Sequence, residues 1–355
     1  MTGTNTRDVG PAQTVGDWSI RRATRSAYAG GVFLLAGIAV LAYLPYLVPR
    51  GTINNLTVLL SLIVLGTMWN LLAGYGGMVS IGQQAYIGVG AYGTVYLADV
   101  IGLSPFVAVL LAGVICGLVA MPTSLLVFRL VGGYFAIGTW VIAEVFKLIM
   151  TQIETVGAGS GISLSAFSGA EPVWRIATVY WFSLALTAAA ITGTYFLLRS
   201  RLGLGLTAIR DDPTAAASLG VHVDRAKRLV YLTAAVGCGF AGGMITLNTL
   251  RVQPDAVFSV NYTAFMIFIV IIGGIGSIEG PILGAIVFFV LRDMLSPLGS
   301  WYLVVLGVVA IAVTLLAPKG LWHLLTRGSI QLFPVGHVLM RSNARASRFR
   351  PRGHS

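Results

Sequence analysis

The sequence predicts an all-α fold: a polytopic integral membrane helical bundle of about ten transmembrane helices, some of them broken or re-entrant. Three observations lead there. Hydrophobic residues make up 56% of the 355 and charged residues only 10%, with a mean hydropathy of +0.86. An ordinary soluble domain has about 25% charged residues, so this chain has too few to cover a water-facing surface. Several stretches also run about 20 residues with few or no charges, the length that crosses a hydrocarbon core of about 30 Å. Finally, these runs are continuous, not short and alternating, which favours helices over a barrel.

Taken in order, the apolar runs place spans at Ala27–Val48, Ile53–Ala73, Met78–Val100, Pro105–Phe128 and Gly133–Met150. A second group lies at Ile176–Leu198, Lys227–Leu250, Tyr262–Gly276, Pro281–Leu295 and Trp301–Ala317. Charge bias orients them. With both termini in the cytoplasm, Arg7, Arg21, Arg22, Arg25 and Arg129 fall inside, together with the basic residues of 199–228 and the tail from Lys319 to Arg352. Only Arg50, Lys147, Arg175, Arg251 and Arg292 then lie nearer the outer face, as the positive-inside rule requires. The expected organisation is a basic cytoplasmic segment 1–26, a transmembrane domain 27–318 with a cytoplasmic loop 199–228, and a basic, partly disordered tail 319–355. The first span is too long for the apolar core of a cleaved signal and is expected to stay.

The net charge of +11 sits in membrane-flanking segments, where topology and anionic lipid account for it better than nucleic acid, so no nucleic-acid partner is expected. Cys116 and Cys238 lie in separate spans and read as packing residues. His222, His323, His337 and His354 form no metal-binding pattern, and no metal or cofactor is expected. Gly88–Gly93 matches GxGxxG but lies inside an apolar span with no strand before it, which favours helix packing. No lysine follows a glycine, so the chain lacks a phosphate-binding loop and is not itself an ATPase.

Transport remains, and the 44 glycines support it. Clusters at Gly74, Gly76 and Gly77 and at Gly273, Gly274 and Gly276 mark close helix approach or helix breaks. The spacing of Gly276, Gly280 and Gly284 predicts one shared face. Gly76-Gly-Met-Val-Ser-Ile81 and Gly273-Gly-Ile-Gly-Ser-Ile278 share GGxxSI, a faint internal echo. Polar residues that hydrocarbon penalises are candidates for a translocation path: Asn70, Ser80, Gln83 and Gln84 around the first cluster, and Tyr134, Thr139 and Glu144 on the span after Gly132. Glu144 and Lys147 are spaced to pair on one helical face.

The charged island between Arg199 and Arg228 is the one strongly polar internal segment. Asp212 is a good N-cap, Pro213 suits the first helical position and Gly220 can end a helix, which predicts a short helix over Pro213–Leu219. Its low bulk, in Ala215, Ala216 and Ala217, suits a groove on another protein, with Arg210, Asp211 and Asp212 offering polar contacts at one end. A plain solvated loop helix is the alternative.

Four stretches in order carry a resemblance: Asn70–Ala85, Gly133–Thr139, Arg201–Val221 and Gly273–Pro281. Together they resemble the branched-chain amino acid permeases of ABC importers, the LivH/LivM type, and more closely LivM. The resemblance implies a second homologous permease forming a heterodimer, two cytoplasmic ABC ATPases and an extracytoplasmic solute-binding protein. It further implies that the loop helix docks on an ATPase through Ala215, Ala216, Ala217 and Gly220. Thr214 and Ala215 stand where many importers carry a loop glutamate. Branched-chain or other amino acids are the solutes implied, with urea, short amides or another small organic solute left open, as is a secondary transporter or channel.

Overall fold

The computed structural model describes residues 18–21, 31, 36–169, 171–299, 301–317, 320–326 and 338–341. Its helices are α1 (Ala36–Tyr46), α2 (Arg50–Asn70), α3 (Gln84–Val95), α4 (Pro105–Val127), α5 (Gly133–Thr151) and α6 (Pro172–Arg199). They continue as α7 (Arg201–Asp211), α8 (Pro213–Ser218), α9 (Val223–Thr249), α10 (Pro254–Val257), α11 (Asn261–Gly273), α12 (Glu279–Leu295), α13 (Trp301–Leu316) and α14 (Gly320–Thr326). Two short antiparallel pairs complete the described residues: β1 (Trp18–Arg21) with β4 (Val338–Arg341), and β2 (Ile162–Ser163) with β3 (Arg251–Val252).

The helical bundle is as expected, but its spans are not ten uniform rods. Among the described residues, six helices are long and apolar enough to cross a membrane alone, or seven if α13 and α14, bent by 46°, count as one. The other apolar segments are helical but shorter. The run at Met78–Val100 does not start as a helix: the chain turns at Gly76 and Gly77, passes through a non-helical stretch, and enters α3 only at Gln84. The run at Tyr262–Gly276 stops at Gly273, where Gly274 and Gly276 take positive φ values of 125° and 78°. Glycine adopts such angles without the Cβ clash that other residues meet.

α2 is the centre of the bundle. It is apolar all round and continuously buried from Leu60 to Asn70, with α6, α9, α11 and α12 against it. α4 is held to α9 by small residues at helical spacing: Ala108, Ala112, Cys116 and Ala120 are all fully buried, and Gly239 of α9 lies against Cys116. Without bulk between them the backbones approach closely, which is how helices gain dispersion contacts in lipid. Gly90 against Gly239 and Gly88 against the Phe258 ring do the same for α3, so Gly88–Gly93 is a packing surface. Gly280 and Gly284 seat α12 on α11, whereas Gly276 lies outside α12 in the turn and is not part of that face. Buried hydroxyls of Thr57, Ser61, Thr67, Thr94 and Thr246 each donate to the carbonyl four residues back, the cheapest satisfaction available at depth.

The bundle has two distinct ends. One carries α7 and α8. At the other, the Asp99 carboxylate accepts from Ser165 N and Ala166 N at 2.8 Å each, and Leu164 N donates to Leu250 O, tying the 152–171 connection to the end of α9. Lys147 pairs there with Asp255 at 2.7 Å, not with Glu144 as its spacing had predicted, because α10 brings Asp255 over the end of α5. Gly320 packs against Gly273 and Gly274, so α14 belongs to the bundle, and residues 338–341 of the tail form β4.

Candidate functional site

The two GGxxSI stretches, far apart in sequence, lie together at the end that carries α7. After α2 the chain continues as one π-helical turn, Leu71–Tyr75. Its last internal acceptors are Leu71 and Leu72, whose carbonyls take Gly76 N and Met78 N. Beyond them the chain turns away and leaves Gly74 O without a helical donor, the usual fate of a terminal carbonyl. Arg210 supplies the donor: its Nη1 lies 3.0 Å from Gly74 O. Asn70, one turn earlier, reaches across to the second break. Gly276 N donates to Asn70 Oδ1 and Asn70 Nδ2 donates to Ser277 O, both at 2.8 Å. Only glycine fits between them, since a Cβ on Gly74 would overlap Asn70 Oδ1 and come within 2.7 Å of Gly276 N.

Met78–Gln83, buried except at Val79 and Ile81, crosses behind this junction with its backbone groups met by side chains of other elements. Trp69 Nε1 donates to Ser80 O at 3.0 Å, and Ile81 N donates to Thr139 Oγ1 at 3.1 Å. Gln83 Nε2 donates to Ser80 Oγ at 3.2 Å. Thr263 of α11 donates to Gln84 Oε1. Gln84 Nε2 and, further along α3, Tyr92 Oη are buried with no protein partner among the described residues. Gly82 lies so close to Thr139 that a Cβ would overlap the Thr139 carbonyl.

Of the expected path residues, Asn70, Ser80, Gln83, Gln84 and Thr139 are therefore brought together around the first break. Tyr134 and Glu144 are not. Tyr134 is 75% exposed at the start of α5, and Glu144 is half-buried farther along that helix. Three contributors escaped sequence reading. Trp69 and Thr263 look like ordinary span residues, and only their partners give them a role. Glu279 is buried at the first position of α12 and lines an apolar cavity of about 340 Å³ between α1, α2, α6, α12 and α14. An acid between two closely spaced apolar runs was the available signal. Among the described residues, no three His, Cys, Asp or Glu side chains gather as metal ligands.

The loop helix forms as its residues predict, over Pro213–Ser218. Asp212 Oδ1 accepts from Thr214 N at 2.8 Å and Ala215 N at 3.1 Å, and Gly220 takes φ +83°. Its presentation differs from expectation in two respects. Ala216 is 1% exposed and packs inward, so it is not available to a partner; the outer face consists of Thr214, Ala215, Ala217 and Leu219, the last 81% exposed. Arg210 points its Nη1 into the bundle, while Nε and Nη2 lie 3.3 Å from Asp211 Oδ1.

Comparison with known proteins places these features. The model of the family described as branched-chain amino acid transport system / permease component matches residues 51–314. The LivM permease proteins of the high-affinity branched-chain amino acid transport systems of Salmonella typhimurium and Escherichia coli K12 are each 28% identical over 302 residues, 78% of this chain and 71% of theirs. A probable LivH permease of Methanocaldococcus jannaschii is 22% identical over 269 residues, 66% of this chain and 79% of its own length. No solved structure matches. The matched region runs from α2 into α13 and includes both glycine breaks and the loop helix, so the chain belongs to the branched-chain amino acid transport permease family, on its LivM side.

Proposed function

We propose that this protein is a permease subunit of an ATP-driven importer of branched-chain amino acids, forming the translocation path with a second, LivH-like permease. The family match carries the reading, and the loop helix supports it: a capped six-residue helix that rests on the bundle through Ala216 and presents small side chains outward, with the exposed Leu219 just beyond its end. That shape suits insertion into a groove on a separate ATPase. In this reading the α7–α8 end faces the cytoplasm of a bacterial cell with an inner membrane, both termini lie on that side, and residues 1–26 and the tail are basic cytoplasmic segments. ATP hydrolysis belongs to two partner ATPases. An extracytoplasmic solute-binding protein meets the end built from 152–171 and 250–258 and supplies most of the selectivity, so the permease itself needs only modest affinity.

Closure of the ATPases on ATP would move the loop helices and through them α6, α7 and α9, opening the path around Ser80, Gln83, Gln84 and Thr139. These offer amide and hydroxyl groups, suited to transient contact with a polar solute and not to tight capture. The test is Leu219→Asp with Ala217→Arg as an independent variant, scored by co-purification of the ATPases and by leucine uptake into proteoliposomes containing the binding protein. Loss of both ATPase association and uptake with normal membrane insertion is expected. Retained association in both variants would refute the docking assignment, and uptake by this chain alone, without ATP, would refute the importer.

A further inference from the structure

We infer that Arg210 is the positioning residue through which movement of the cytoplasmic loop reaches both glycine breaks; the inference rests on the function proposed above. α7 is amphipathic and lies against the bundle through Gly203, Leu206 and Ile209, so its last turn is delivered to the junction of the two breaks. Arg210 there is the side chain that touches both. Its Nη1 donates to Gly74 O in the first break at 3.0 Å, and the same nitrogen sits 3.3 Å from the position a Cβ would take on Gly276 in the second. Its own backbone and stem pack on Gly77, whose φ of +66° turns the chain toward Met78. Asp211 holds the other edge of the guanidinium through Nε and Nη2, so the planar fork is fixed between the loop and the bundle.

The two breaks are in turn joined by Asn70. A displacement of α7 therefore pulls on Gly74 O directly and, through the Gly74–Asn70–Gly276 contact, on the turn between α11 and α12. Ser80, Gln83 and Thr139 hang from the first break, and Glu279 and α12 follow the second. The guanidinium replaces a missing helical hydrogen bond, so it holds the break only while α7 is in place. Polar networks with two discrete arrangements are the physical means by which distant elements couple.

Each break exposes one apolar residue, Val79 and Ile275, at 51% and 52%, and these are natural reporters. The experiment uses the assembled complex of both permeases and ATPases in proteoliposomes, with Val79→Cys or Ile275→Cys labelled by a membrane-impermeant maleimide; the native Cys116 and Cys238 are fully buried. Addition of ATP and vanadate is expected to change the labelling rate about fivefold or more in the parent, within the range typical of coupled sites. In Arg210→Gln the ATPases remain bound and hydrolyse ATP, while the labelling change disappears and leucine uptake per ATP falls; Arg210→Lys restores part of both. An undiminished labelling change in Arg210→Gln would overturn the inference, as would failure of both Arg210 variants to assemble, since that marks a folding requirement only. No ATP-dependent labelling change in a parent that still imports leucine would also overturn it, whereas a parent complex with no ATP-driven uptake would remove the importer reading beneath it.

Discussion

Replacing Asn70 with Ala probes the seam between the two breaks most directly. Asn70 is 2% exposed and makes two hydrogen bonds of 2.8 Å to the backbone of Gly276 and Ser277, 206 and 207 residues away. Truncation takes the partner from one part-buried N–H and one part-buried C=O. A fully buried orphaned group costs about 1–3 kcal/mol, so about 6 kcal/mol is a ceiling for this part-buried pair. Polar contacts in membrane proteins measure lower, averaging about 0.6 and reaching about 1.7 kcal/mol each, because the membrane-embedded unfolded chain also finds partners. Combining these ranges, the variant should lose about 2–4 kcal/mol. Thr67→Val is the control: Thr67 lies on the same helix, is equally buried, and bonds only to Ile63 O in its own helix. It should cost about 1 kcal/mol or less. Unfolding of purified protein in mixed micelles by added SDS, followed by tryptophan fluorescence, gives both values. If Asn70→Ala cost no more than Thr67→Val, the two breaks would not be joined through this side chain. Because Arg210 meets the same turn, Asn70→Ala and Arg210→Gln should also be non-additive by about 0.5 kcal/mol or more in that assay.

Other expected outcomes follow from local geometry. Gly82→Ala would drive a Cβ into the Thr139 carbonyl, where no flexible side chain can yield, and should cost about 1–3 kcal/mol and abolish uptake. Gly193→Ala, in the C-terminal half of α6 with open space around it, should be neutral or stabilise by up to about 1 kcal/mol in the same unfolding assay. Asp255→Asn removes the partner of Lys147, but with side chains 88% and 27% exposed the pair should contribute only about 0.2–1 kcal/mol, an effect that shrinks in high salt. Thr263→Val removes the donor to Gln84 Oε1 and should lower stability by about 1 kcal/mol while changing the leucine dependence of uptake.

Hydropathy made the bundle legible because burial in lipid imposes one composition over a whole helix. It could not distinguish a crossing helix from an apolar segment that breaks and packs inside protein, which is why Met78–Gln83 read as the start of a span. The polar residues around the first break were legible as individual anomalies: Asn70, Ser80, Gln83, Gln84 and Thr139 are each costly in hydrocarbon unless matched. Tyr134 was not legible in the same way, since an aromatic with a hydroxyl is equally at home facing outward. The cap of α8 could be read from Asp212 and Pro213 because capping is local. The inward turn of Ala216 and of the Arg210 fork could not, because each depends on α9 and on Gly74, contacts that no short window contains. The GGxxSI echo carried more than repetition: the two copies meet in space, and the chemistry that joins them is the amide of Asn70.

The seat of α14 has a practical corollary for anyone handling this protein. Gly320 lies on Gly273 and Gly274 with no room for even a methyl group between the two backbones. A shortened version ending near residue 316 would strip the cover from that turn and expose its peptide groups to detergent, so any shortened version should keep α14.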